Sequence, residues 1–194
     1  MNYERRAVAA DAEFKTREVD GKKYIDGYFA VFGAKYWLWQ DADGGAYETV
    51  DPGAFDLEAD KDVRALTNHD TTLVLGRTTA GTLQLSVDDR GLYGSIEINQ
   101  DDQDAVNQWA RVNRGDVTQC SFGFDIIDQM MERVEGMPTV WHLRKVKLYE
   151  VSVCTFPAYE ETSVSARKAE LQDADRRKLE TWKESMKIKL KGGE

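Results

Sequence analysis

Short runs of alternating apolar and polar residues, separated by glycine- and aspartate-rich turns, recur along most of this chain. The clearest run spans 117–127, where Cys120, Phe122 and Phe124 alternate with serine, glycine and aspartate. Side chains on a strand point to opposite faces with a period of two, so this run predicts a strand with one buried face. Many short strands punctuated in this way predict an α+β protein built mainly from an antiparallel β-barrel or folded sheet, with a few short helices.

The other elements follow from similar patterns. Further strands are predicted at 22–33, 63–69, 82–87, 92–98 and 146–155. A hairpin or a long loop is predicted at 36–50, and a hairpin around Gly136. One short helix is predicted to start at Asp51 and Pro52, since aspartate caps helices and proline fits their first turn. A second is predicted from Asp101 or Asp102 to Gly115, a typical C-terminal glycine.

The chain changes character near residue 166. Charged residues dominate from there onward, with few large apolar side chains: Leu171, Leu179, Trp182 and Met186. Such a segment buries little apolar surface, so we predict a main domain at 1–167 and a charged helical or flexible tail at 168–194. The spacing of Leu179, Trp182 and Met186 also fits one helical face, which leaves a helix packed on the domain as an alternative.

Charge and composition limit the classes of function. The net charge of −9 argues against broad nucleic-acid binding, because contacts to phosphates need a basic surface. No run approaches the roughly 20 apolar residues of a membrane helix, and the first residues lack the apolar core of a signal peptide. The two cysteines, Cys120 and Cys154, lie in apolar runs and are predicted to be buried, reduced thiols. These features predict a cytoplasmic protein.

Two residues stand out as a candidate catalytic base and nucleophile. His69 lies in the run ALTNHD, beside a loop, and histidine is the commonest general base. Ser121 lies on the polar face of its strand, beside a glycine that leaves room for a substrate backbone. A structural histidine and a serine on a solvent-facing strand surface are the simpler interpretations of the same residues.

Glu150 is the candidate for orienting the histidine. The period of two places it on the face of Val146, Leu148, Ser152 and Cys154, where a carboxylate needs a partner if it is buried. An imidazole could be that partner, and so could a nearby basic side chain: Arg144, Lys145 or Lys147. Asp70 is a rival for this role. However, adjacent side chains on a strand point to opposite faces, so Asp70 should point away from His69.

Taken in order, several segments resemble the prohead proteases of HK97-type tailed phages. They are GYFAVFG at 27–33, ETVDPGAF at 48–55, ALTNHD at 65–70, VLGRTTAGTLQLSVDDRGL at 74–92, SFGF at 121–124 and LYEVSVCTFPAYEETSV at 148–164. The resemblance covers about residues 24–167 and is specific because the segments occur together in this order. Cys120 is a small departure, since an aliphatic residue is expected before the serine.

The resemblance implies a serine endopeptidase with a β-barrel wrapped by helices, related in fold to the herpesvirus assemblins. It implies that His69 is the base and Ser121 the nucleophile, with Glu150 as the third member and His142 as its rival. The expected substrate is the major capsid protein or its scaffold segment, and also the protease itself, inside the procapsid in the host cytoplasm. No cofactor, metal, nucleic acid or membrane is expected as a partner, and a homo-oligomer remains open.

Two other functions remain open from the sequence. The first is an inactive capsid-assembly or scaffolding factor that keeps the same fold. The second is a ligand-binding barrel whose pocket is lined by Tyr36, Trp37 and Trp39. The donors of an oxyanion hole are not fixed either, and the candidates are the turn at 156–159, Arg77 and Arg167.

Overall fold

The computed structural model describes residues 4–8, 14–41, 44–156 and 161–191. The chain divides into two compact units, Met1–Tyr159 and Glu160–Glu194. Within the described residues the first unit holds eleven strands, a short 3-10 turn and one α-helix, and the second holds one long helix. The elements are β1 (Glu4–Val8), β2 (Lys15–Val19), β3 (Lys22–Val31), β4 (Tyr36–Trp39), β5 (Ala46–Val50), β6 (Arg64–Thr67), β7 (Asp70–Arg77), β8 (Leu83–Val87), β9 (Gly91–Glu97), α1 (Gln103–Arg114), β10 (Gln119–Glu132), β11 (Thr139–Cys154) and α2 (Glu161–Lys191).

The strands form two sheets. In the larger sheet the order is β1-β10-β11-β5-β4, and β6 pairs in parallel with the last part of β11 and in antiparallel fashion with β7. The smaller sheet has the order β2-β3-β9-β8 and is antiparallel throughout. One apolar core is shared by the two sheets and includes Phe29 of β3 and Phe122 of β10, both fully buried.

The α+β class is therefore correct, but the predicted barrel is not: over the described ranges both sheets are open. The alternating pattern of the sequence requires that each strand bury one face. Two packed sheets satisfy that requirement as well as a closed barrel does, so the pattern could not distinguish between them.

Most predicted elements are present. The runs at 82–87 and 92–98 form the β8–β9 hairpin, and 36–50 forms the β4–β5 hairpin. The longest hairpin joins β10 to β11 through a turn that contains Gly136 at φ 74°. Helix α1 begins after Asp102, whose carboxylate accepts a hydrogen bond from the Asp104 amide at 2.9 Å, and it ends at Gly115 in the left-handed region.

The helix predicted at Asp51 and Pro52 was wrong, because this segment forms turns. Gly53 has φ 89°, which interrupts any helix just after it would begin. Backbone hydrogen bonds also join this segment to β11. The Asp51 amide donates to the Leu143 carbonyl, and the Val146 amide donates to the Ala54 carbonyl.

Helix α2 carries the charged C-terminal segment. The side chains of Leu179, Trp182 and Met186 are 50%, 56% and 40% exposed. The segment is thus helical, and its residues 175–188 are exposed, in agreement with a charged helical tail, whereas Arg167 near its start is buried. None of the described helices is long and apolar enough to cross a membrane.

Candidate active site

His69 lies in the turn between β6 and β7, and the strand predicted at 63–69 ends earlier, at Thr67. Thr67 pairs with Asp70, so Asn68 and His69 form a two-residue hairpin loop. Both have positive φ, 51° and 60°, as the central residues of a type I′ turn do. His69 therefore lies outside the strand, so the period-two alternation of β6 does not set the direction of its ring.

The turn is fastened to the last part of β11. The Asn68 amide donates to the Val153 carbonyl at 3.1 Å, and the Asn68 side-chain oxygen accepts from the Thr155 amide at 2.8 Å. The His69 amide donates to Oγ of Ser152 at 3.2 Å. Left-handed backbone is unfavourable for residues other than glycine, so these bonds help to hold the turn in its conformation.

The side chain of His69 contacts Glu150. Nδ1 of His69 lies 2.6 Å from Oε1 of Glu150, and the other carboxylate oxygen accepts a 2.6 Å hydrogen bond from the Ser152 hydroxyl. Glu150 is 2% exposed and His69 is 8% exposed. A hydrogen bond in such surroundings is electrostatically stronger than in water, so the pair fixes the orientation of the imidazole.

The basic residues near Glu150 in sequence have other partners. Arg144 pairs with Asp128, and Lys145 pairs with Asp56. The ammonium group of Lys147 lies over the ring of Tyr149. The alternative of a salt bridge to one of these three side chains is therefore wrong.

A β-bulge sets the direction of Glu150. In the β10–β11 register Gly123 faces Glu150, whereas the next residue, Phe124, faces Leu148, so Tyr149 is an extra residue on β11. Facing residues of an antiparallel pair lie on the same side of the sheet, so Leu148 is in the core and Glu150 is on the opposite face. The prediction that Glu150 shares a face with Val146 and Leu148 was wrong for this reason.

Ser121 lies on the same face as Glu150. It is directly opposite Ser152 on β11, and facing residues have Cβ atoms roughly 5 Å apart. Ser121 is fully buried, so its strand does not present it to solvent as the simpler interpretation assumed. Its backbone neighbour on the other side is Ala7 of β1.

The second ring nitrogen of His69 is available. Nε2 is buried and has no hydrogen-bond partner in the described part of the chain, Ser121 included. In proteases of the serine–histidine–acid type this nitrogen faces the nucleophile, and the bond often tightens only when substrate binds.

The rival acid and the rival histidine lie elsewhere. The Asp70 carboxylate is exposed and accepts hydrogen bonds from the amide and hydroxyl of Thr72, which lower its pKa. His142 lies eight positions before Glu150 on β11, roughly 25 Å away along an extended strand. Its ring nitrogens are each 3.2 Å from a carboxylate oxygen, of Asp51 and of Glu132.

The candidate oxyanion donors are spread over three parts of the chain. The Arg77 guanidinium makes two hydrogen bonds to Asp62, at 2.6 and 2.8 Å. Arg167 belongs to α2, where its Nη1 contacts Glu170 at 2.8 Å. Of the turn at 156–159, only Phe156 is described, and it is 80% exposed. Residues 157–159 lie outside the described residues.

The remaining predictions concern the cysteines and the aromatic cluster. Cys120 and Cys154 are both buried thiols, not joined in a disulfide.

The three clustered aromatics have separate partners. Tyr36 is buried and forms hydrogen bonds with the Val31 backbone, Trp37 packs on Tyr47, and Trp39 packs on Trp141. One described pocket is lined by Tyr47 and His142 but by none of the three clustered aromatics. No group of three potential metal ligands occurs among the described side chains.

A buried serine, an imidazole and a carboxylate on one face of a sheet are the groups from which serine proteases are built. The chain belongs to the caudovirus prohead serine protease family, whose family model matches residues 11–177. It is 30% identical over 169 residues to the prohead protease of Enterobacteria phage HK97, a match that covers 84% of this chain and 68% of that protein. No solved structure matches significantly. The protein is thus a serine protease of phage capsid maturation.

Two contributors to the site were not singled out from the sequence. Ser152 was noted only as a neighbour of Glu150, and Asn68 only as part of the run ALTNHD. A signal for Asn68 was present, because asparagine tolerates positive φ and is common in two-residue hairpin turns. A signal for the face of Glu150 was also present: the apolar residues of β11 change parity from Val146 and Leu148 to Val151 and Val153.

Proposed function

We propose that Ser121 is the nucleophile, His69 the general base and Glu150 the orienting acid of this serine protease. The observation that carries the proposal is the contact between His69 Nδ1 and Glu150, which leaves Nε2 without a partner among the described residues, on the sheet face where Ser121 lies. The assignment uses three buried side chains that come from three different strands or turns.

The chemistry follows from these positions. The Ser121 hydroxyl attacks the carbonyl carbon of a peptide bond as its proton passes to Nε2 of His69. Glu150 accepts the Nδ1 proton of His69 in a hydrogen bond and stabilises the imidazolium that forms. The imidazolium then protonates the leaving amine, which produces an acyl-enzyme on Ser121. A water molecule, deprotonated by His69, hydrolyses the acyl-enzyme and restores the serine.

The proposed substrate is the major capsid protein of the same phage or its scaffold segment, cleaved inside the procapsid. This extends to the chain what the names of its family and of its HK97 relative state about those proteins. Residues 1–167 would form the protease domain and residues 168–194 a charged tail. The tail is a candidate for self-cleavage or for docking to the scaffold, because its helix is highly solvated.

Co-expression with the capsid protein of the same phage tests the proposal. Mass spectrometry should detect shortened capsid protein with the wild-type protease and only full-length protein with Ser121→Ala. Ser86→Ala, which changes an exposed serine on β8, is the matched control and should process normally. Full-length capsid protein in every sample would favour the alternative of an inactive assembly factor.

A further inference from the structure

Ser152 connects the backbone of His69 to the side chain of Glu150. Its Oγ accepts a hydrogen bond from the His69 amide at 3.2 Å and donates one to Oε2 of Glu150 at 2.6 Å. Ser152 is fully buried, on the same face of the sheet as Glu150. A single hydroxyl is therefore in contact with the two residues whose mutual geometry the proposed mechanism requires.

The backbone of His69 needs such a contact. Its φ of 60° lies in the left-handed region, which histidine occupies much less readily than glycine does. Such conformations persist when the surrounding structure fixes them, and they are concentrated at functional sites. Asn68 is held by β11 through Val153 and Thr155, whereas the amide of His69 is held by Ser152.

The carboxylate of Glu150 needs the same contact for a different reason. One of its oxygens contacts His69, and the second would lack a donor among the described residues without the Ser152 hydroxyl. Arg64, which pairs in register with Glu150, turns its guanidinium to Asp62 instead. With both oxygens bonded, the carboxylate cannot rotate away from the imidazole without losing two short hydrogen bonds.

We infer that Ser152 is a positioning residue that holds the His69 turn and the Glu150 carboxylate in one geometry. The inference rests on the proposed roles of His69, Glu150 and Ser121. Ser152 is not itself placed as a nucleophile, because its proton is donated to Glu150 and its oxygen lies beside the backbone amide of His69. Groups that support a site in this way affect its rate by fixing angles and distances within fractions of an ångström.

Steady-state kinetics of Ser152→Ala on a capsid-derived peptide tests this role. We expect kcat to fall about 10- to 100-fold while KM changes by less than about two-fold, because only the alignment of the reacting groups is lost.

Two further variants separate positioning from stability. Val151→Ala removes a fully buried side chain on the opposite, core face of β11, and it should lower the melting temperature without lowering kcat. Ser152→Thr keeps the hydroxyl and should recover several-fold of the lost kcat. An unchanged kcat in Ser152→Ala, or equal losses in the alanine and threonine variants, would overturn the inference. If Ser121→Ala cleaves the same peptide, the proposed nucleophile is wrong. If Ser121→Ala is inactive and Ser152→Ala keeps the wild-type kcat, only the inference about Ser152 is wrong.

Discussion

Nδ1 of His69 and Oε1 of Glu150 are 2.6 Å apart, although 81 positions separate the two residues in sequence. The contact exists because β6 pairs in parallel with the end of β11, which brings the turn after β6 over the last residues of β11. The bulge at Tyr149 then turns Glu150 away from the core and toward the histidine. Sheet topology and one extra residue in a strand together create the polar pair.

The first prediction compares the two histidines of the chain. His69→Ala should abolish cleavage of the capsid protein, by a factor of roughly 10³ or more, because it removes the proposed base. His142→Ala is a matched control, since His142 also contacts carboxylates but lies far along β11. It should retain activity within about three-fold in the same assay. Loss of activity in His142→Ala with normal cleavage by His69→Ala would reverse the assignment.

The second prediction compares the two acids paired with these histidines. Glu150→Gln should lower kcat by orders of magnitude, because an amide in place of the acid favours the wrong tautomer of the imidazole; the corresponding change in chymotrypsin-like proteases costs roughly 10⁴-fold. Glu132→Gln, next to His142, should leave kcat nearly unchanged. Burst-phase and steady-state rates on one peptide substrate measure both variants. Equal rates for Glu150→Gln and the wild type would remove Glu150 from the site.

A third prediction concerns the base of the β6–β7 hairpin. Hydrogen bonds from Arg77 hold the pKa of Asp62 at about 2, below its usual value near 4. A lowered pKa in the folded state stabilises the protein above the unfolded value, and this contribution is lost as the pH falls from about 4 to about 2. Asp62→Asn should therefore lower the melting temperature at pH 7, by no more than about 2 °C because the pair is exposed.

The difference between Asp62→Asn and the wild type should disappear near pH 2. Thermal melts from pH 2 to pH 7 measure it, and Asp128→Asn, which changes another exposed ion pair, is a suitable comparison. A difference that grows toward acid pH would contradict the sign of the effect.

The sequence predicted local structure well and spatial relationships less well. The hairpins, helix α1 and the buried face of β10 follow from patterns that involve neighbouring residues. Closure of a barrel, the parallel pairing of β6 with β11, and the face occupied by Glu150 depend on contacts between distant segments. The turn at Asn68 and His69 lies between these cases. Two-residue hairpin turns usually have glycine at the second position, so the histidine there did not indicate a turn.

The candidate site residues came from chemistry together with a family resemblance rather than from spacing. His69, Ser121 and Glu150 follow from the sequence; Ser121 and Glu150 lie on one face of the larger sheet, and His69 contacts Glu150. Ser152 could not have been selected in this way, because a serine on a strand has no feature that indicates two hydrogen bonds to distant partners. Only the register of β10 and β11 and the position of the turn reveal it.

The fourth prediction concerns the C-terminal tail. Deletion of residues 168–194 should change the melting temperature of the protease domain by less than about 2 °C, because the described apolar side chains of this segment are largely exposed. Wild-type protein should also shorten from its C-terminal side during storage, and Ser121→Ala should not. Intact-mass spectra over several days measure the shortening. Unfolding of the domain on deletion would show that the tail is part of its folded structure.

The most direct test of the account is the site of a covalent adduct with a fluorophosphonate, which reacts with an activated serine. The reagent is added under conditions in which the wild-type protein cleaves its capsid substrate, so that Ser121 is accessible. Peptide mapping should place the adduct on Ser121, and both Ser121→Ala and His69→Ala should lose it, while His142→Ala keeps it. An adduct on Ser152, or no adduct on a protein that is cleaving substrate, would contradict the assignment of Ser121 as the nucleophile.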